Sequence, residues 1–121
     1  MNLKFFDLAR KVSKLSDHKR FSLGAVIVNG SKIISVGTNK VKTHPKSTHP
    51  YNSLHAEMAA ILAAKQDISK CELYVYRETK NGTRATSKPC IYCQVMINEA
   101  GIKTVYYSMN GSFETMAMRN S

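Results

Sequence analysis

Along residues 3–15, Leu3, Phe6, Leu8, Val12 and Leu15 recur mostly at intervals of three and four, with Lys and Arg between them. That spacing predicts an amphipathic first helix whose apolar stripe lies on a sheet. The period then changes. Phe21 to Val28 and Lys32 to Val36 are rich in Val and Ile, and Asn29-Gly30 lies between the two runs. Asn-Gly tolerates the positive φ that a tight turn requires, so this segment predicts a β-hairpin. Residues 37–54 carry Gly37, Pro45 and Pro50 among Lys, Thr, Ser and His, and predict a long loop. Strong helix formers return at 55–66. Leu73 to Tyr76 predicts a strand, and residues 78–88, with Asn81-Gly82, a connection containing a turn. Ile91 to Ala100 predicts a helix closed by Gly101. Ile102 to Tyr107 then predicts a strand, and Asn110-Gly111 a turn into residues 112–118. Such alternation predicts an α/β fold, a sheet covered by helices on both faces.

Bulk properties narrow the setting. A chain of 121 residues is the size of one ordinary domain, expected to span 1–121, so any site must be built into a single core. Apolar residues, 43% of the total, are spread without repeats or low-complexity tracts. The longest apolar runs, such as Ala25 to Val28 and Met58 to Ala64, are far shorter than the roughly 18 residues that span a bilayer. The start, Met1-Asn2-Leu3-Lys4, does not resemble a signal peptide. A cytoplasmic protein without a membrane partner is therefore expected.

Charge is unevenly placed within a formal total of +10: residues 1–54 hold ten Lys and Arg against two Asp, and residues 55–121 hold eight against six Asp and Glu. A basic excess of this size favours an anionic partner, either a phosphorylated small molecule or a nucleic acid, although plain solvation also accounts for a basic surface. Three cysteines do not make an even disulfide framework, and two of them are spaced Cys90-x-x-Cys93. In a reducing compartment that pair points to metal or redox chemistry.

Two segments carry the candidate chemistry, His55-Ala56-Glu57 and Pro89-Cys90-Ile91-Tyr92-Cys93, both at predicted helix starts. Cysteines three apart on a first helical turn share a face, so both thiolates can reach one ion. An imidazole nitrogen from His55 makes a third ligand, and three protein ligands with a fourth position open are the requirement of a catalytic zinc; a structural zinc is closed by four. Cys71 begins a predicted strand and reads as a buried thiol in preference to a fourth ligand. Helix N-termini also favour deprotonated thiolates. Glu57, two residues after His55, is near enough to take the proton of a zinc-activated water without ligating the ion. Alone, Glu57 is equally a helix-dipole carboxylate, and Cys90-x-x-Cys93 alone is equally a redox pair. Together and in this order they match the H-x-E and P-C-x-x-C pattern of zinc deaminases.

On these residues the sequence resembles the cytidine/deoxycytidylate deaminase superfamily, which also contains the tRNA adenosine deaminases, and the resemblance covers nearly the whole chain. It implies a three-layer fold with a mixed central sheet of about five strands, and one catalytic Zn2+. Gly24-Ala25-Val26-Ile27-Val28 looks like the family's first core strand, and Gly37-Thr38-Asn39 like the end of its second. By that resemblance Asn39 hydrogen-bonds the substrate's sugar or base, and the amide of Ala56 contacts the base. Histidine at position 55 is similar to the deoxycytidylate and tRNA branches. The stretch Ala100 to Tyr107 and the loop containing His44-Pro45-Lys46 and His49-Pro50-Tyr51 look like small deoxycytidylate deaminases. Lys40, Lys42 and Lys46 in that loop are candidate ligands of a 5′-phosphate. His44 and His49 are a weaker alternative as a second zinc site.

Two departures stand out. The segment Arg77 to Lys88 is longer than the link in many relatives, and Lys88 replaces the acidic residue common before Pro-Cys in the tRNA enzymes. A final hairpin at Asn110-Gly111 resembles instead the free-cytidine branch. The expected activity is deamination of a cytosine nucleotide, dCMP to dUMP and ammonia, by a self-associating enzyme. A polynucleotide deaminase and a non-catalytic zinc module are the alternatives.

Overall fold

In a computed structural model, residues 1–17, 20–40 and 55–118 are described. Helix α1 (Leu3–Ser13) is followed by strands β1 (Phe21–Asn29) and β2 (Lys32–Thr38), helix α2 (Ala56–Ala63), and strands β3 (Glu72–Thr79) and β4 (Arg84–Ala85). Helix α3 (Ile91–Glu99) and strands β5 (Thr104–Ser108) and β6 (Phe113–Ala117) complete the order.

The sheet runs β2-β1-β3-β5-β6, with β4 paired to the far end of β3. It has six strands where about five are expected, because the connection 78–88 folds back on β3 as a short strand, Arg77 opposite Ala85. Among the described residues only β3 and β5 run parallel, joined through α3; the other pairs there are antiparallel, the β5–β6 hairpin included. The mixed sheet and the final hairpin at Asn110-Gly111 are thus as the sequence predicts. Gly30 takes φ 63° in the first hairpin turn, the conformation for which Asn-Gly is suited.

Alternation along β3 divides the protein into two cores. Leu73 and Val75 point to one face, where Ala56 and Ala60 of α2 and Cys93 and Ile97 of α3 cover the sheet. Tyr74 and Tyr76 point to the other, against Phe5, Phe6 and Ala9 of α1. The buried stripe of α1 is Phe5, Phe6, Ala9, Val12 and Ser13, not the predicted Leu3, Phe6, Leu8, Val12 and Leu15. Close approach decides this: a Cβ on Gly24 of β1 would lie 1.9 Å from the Ala9 carbonyl oxygen and 2.8 Å from Ser13 N. Small residues therefore face the sheet. Leu3 stays 62% exposed, and Leu15, beyond the end of the helix, 66%.

The same device seats α2. A Cβ on Gly37 of β2 would lie 2.4 Å from Ala60 N and 2.6 Å from the Ala56 carbonyl oxygen, so β2 packs against helix backbone there. The Ser35 hydroxyl donates to the Ala60 carbonyl at 2.8 Å beside it. Helix α2 ends at Ala63, short of the predicted 66, since Ala64 turns to extended backbone at ψ 124°. Among the described residues no helix is long and apolar enough to cross a membrane.

Candidate metal centre

His55 and Cys90 occupy equivalent positions, each the N-cap of its helix with extended backbone, and neither side chain caps its own helix. Their carbonyls accept the first intrahelical bonds, from Ala59 N and Gln94 N, both at 2.9 Å. Gln94 Nε2 also donates to the Pro89 carbonyl at 2.8 Å, fixing the turn that enters α3.

His55 Nδ1 lies 3.4 Å from Cys93 Sγ and 3.9 Å from Cys90 Sγ. The three donor atoms all fall within 4.8 Å of one another, a spacing suited to one ion. Cys93 is buried, and burial pushes its thiol well above the ordinary range, with the neighbouring Glu57 and Cys90 adding to the effect. Without a cation this is a poor place for thiolate; with one, a nitrogen and two sulfurs are a donor set suited to zinc.

Glu57 is 2% exposed on the first turn of α2, and its Oε1 has no hydrogen-bond partner among the described residues. Burial pushes the carboxyl up to about 7, and a hydrogen bond to its own backbone N–H offsets part of that shift. A buried carboxyl with one oxygen left unpartnered among the described residues, beside three ligand-type atoms, fits a site that takes a metal and a polar substrate.

A cavity of about 250 Å³ opens over this group and is lined by Glu57, His55 and Cys90 together with Asn39, Lys40, Arg77 and others. Asn39 lines the cavity, and its amide supports β1: Oδ1 accepts from Leu23 N at 2.9 Å, and Nδ2 donates to the Phe21 carbonyl at 3.3 Å. Lys40 lines the cavity and donates from Nζ to the Leu15 carbonyl at 3.2 Å. Ala56 is fully buried under Gly37 and is not one of the lining residues. Lys42, Lys46, His44 and His49 lie outside the described residues. Cys71 is buried in the core, apart from the ligand group.

Sequence reasoning did not single out Arg77 or Ser87. Ser87 donates to the Val75 carbonyl at 2.7 Å and accepts from Ser108 N at 2.6 Å, pinning the strand end that delivers Cys90. Its only signal in the sequence is its position three residues before Cys90.

A zinc-site α/β fold of this kind defines a class of hydrolytic deaminases, and comparison with known proteins agrees. Residues 1–109 match the family described as "Cytidine and deoxycytidylate deaminase zinc-binding region", and the chain belongs to that family. An uncharacterized deaminase of the luxG 3′ region in Aliivibrio fischeri is 32% identical over 111 residues, covering 85% of this chain and 69% of that protein. The dCMP deaminase of cyanophage S-TIM5 is 28% identical with a TM-score of 0.66, over 85% of this chain and 78% of the other. A cytidine deaminase from Burkholderia pseudomallei shares the fold at a TM-score of 0.72 and 18% identity, over 97% and 92% of the two chains. The protein is thus a zinc-dependent hydrolytic deaminase of this family.

Proposed function

We propose that the chain deaminates a cytosine nucleotide, dCMP to dUMP and ammonia, with His55, Cys90 and Cys93 as the zinc ligands and Glu57 as the proton carrier. The observation that carries the reading is the buried Glu57 carboxyl beside the His-Cys-Cys group, its Oε1 without a hydrogen-bond partner among the described residues, in a cavity also lined by Lys40, Arg77 and Lys88. The cyanophage S-TIM5 enzyme, solved in complex with dCMP and dUMP, supports the choice of nucleotide.

When bound, zinc supplies Lewis acidity that brings the pKa of water to about 7. Glu57 Oε1 takes a proton as the water oxygen bonds to C4 of the base, and returns it to N3. The remaining proton of the former water passes through the same carboxyl from the C4 hydroxyl to the 4-amino group, the C4–N bond breaks as the C4 oxygen becomes a carbonyl, and ammonia leaves. One carboxyl serves both transfers. Asn39 holds the sugar or base through the N–H of its amide not used on Phe21, and the Ala56 amide, at the N-terminus of α2, approaches the base.

Zinc-loaded protein incubated with dCMP, dCTP, deoxycytidine and cytosine, with ammonia release followed, tests the reading. Turnover of dCMP above deoxycytidine is expected; no loss of amine from either nucleotide overturns it. The net charge of +10 favours a second reading, deamination of single-stranded nucleic acid. Turnover of a single-stranded oligonucleotide faster than dCMP, falling steeply with salt, would install that reading instead.

A further inference from the structure

Arg77 follows Tyr76 on β3 and so points with Val75 to the face that carries the zinc ligands, just past the last β3–β5 pair at Val75 and Tyr107. Its guanidinium lies 3.9 Å over the Phe21 ring, and Nη1 donates to the Thr86 carbonyl at 3.4 Å. Nε is buried with no hydrogen-bond partner, and no carboxylate among the described residues forms an ion pair with it. Arg84 shares the orphaned Nε and the ring contact, over Phe113 on the α1 side, so what sets Arg77 apart is its place in the cavity that Glu57 and His55 line.

Its neighbours favour an anionic ligand. Arg77 lines the same cavity as Glu57 and His55, as do Lys88 and Lys40, and Glu57 is the only acidic residue among the described residues of that lining. Lys40 is already engaged with the Leu15 carbonyl, whereas Arg77, with Nη1 on Thr86 and Nε closed off from solvent, keeps the N–H groups of Nη2 for a phosphate oxygen. The residue lies at the start of the 77–88 segment, folded here as the β3–β4 hairpin, and the cavity wall at this point comes from that hairpin. We propose that Arg77, braced by Phe21 and Thr86, binds the 5′-phosphate of the substrate and sets the preference for nucleotide over nucleoside. The inference rests on the nucleotide reading above.

The test is kcat and KM for dCMP and for deoxycytidine, with zinc content, in zinc-loaded wild type, Arg77→Gln, Arg77→Lys and Arg84→Gln. Arg77→Gln should lower kcat/KM for dCMP roughly 10- to 100-fold, mostly through KM, and change that for deoxycytidine less than about 2-fold. Arg77→Lys should fall between. Arg84, stacked 4.7 Å over Phe113 in a groove on the α1 side, is the matched control and should leave both substrates unchanged. Phe21→Leu, which removes the platform and keeps the charge, should raise KM for dCMP several-fold, and it carries the test if the Arg77 variants lose zinc. Equal losses on both substrates, or a retained dCMP preference, overturn the role of Arg77. A wild type with no preference for dCMP overturns the nucleotide reading itself.

Discussion

Replacing Gly37 by Ala inserts one methyl group between β2 and the first turns of α2. The added Cβ would lie 2.4 Å from Ala60 N, 2.6 Å from the Ala56 carbonyl oxygen and 2.9 Å from Ala59 C, all backbone atoms that cannot rotate away. Overpacking of this kind costs about 1–3 kcal/mol, and rigid neighbours place it at the upper end. Against this, Ala loses less unfolded-chain entropy than Gly, a gain of about 0.5 kcal/mol, so the net loss should be about 2 kcal/mol. For a domain of this size that is roughly 6–10 °C in Tm. Activity should fall too, since the displaced turn carries His55 and Glu57, and a misplacement of about 1 Å can cost about 100-fold. Urea and thermal unfolding of the zinc-loaded variant, with turnover, measure both. Gly111→Ala is the control, because a Cβ there meets nothing within 4 Å. A Gly37→Ala protein within about 0.5 kcal/mol of wild type, with turnover intact, would refute the close-packing argument.

Cys71→Ala should keep one zinc per chain and full turnover while losing about 1–2 kcal/mol, since it removes a buried sulfur from the core; metal analysis beside a melting curve decides, and a loss of zinc would make Cys71 a ligand. Glu57→Gln should retain zinc and fold, yet lose about 10²- to 10⁴-fold in kcat as the proton carrier disappears. A variant as active as the parent would end the proposed mechanism.

Much of the site was legible because its spacing is local. His55 with Glu57, and Cys90 with Cys93, declare themselves within single helical turns, and the structure brings His55, Cys90 and Cys93 together. Walls of the cavity were less legible. Arg77 reaches it only because β3 extends to Thr79 and β4 folds back against it, a tertiary pairing invisible in a sequence that reads as a connection. The helix α1 stripe shows a related limit. Large apolar side chains suggest burial, whereas contact with Gly24 selects Ala9 and Ser13, whose small size is their qualification. Asn39 lines the cavity, and its hydrogen bonds to Leu23 and Phe21 emerge only once β1 lies beside it.

His55 is separated from Cys90 by 35 residues and from Cys93 by 38, and β3 with its hairpin lies in between. An ion held by these three side chains is therefore a reversible staple across the segment that leads into the one parallel crossover, in the way a cross-link closes a long loop. Because the ion binds the folded chain in preference to the unfolded one, its concentration enters the folding equilibrium directly. A cell short of zinc would then hold less of this protein as well as a less active one, as the opened chains are cleared by proteolysis. Metal supply would then act on abundance, through the three side chains placed to hold the ion.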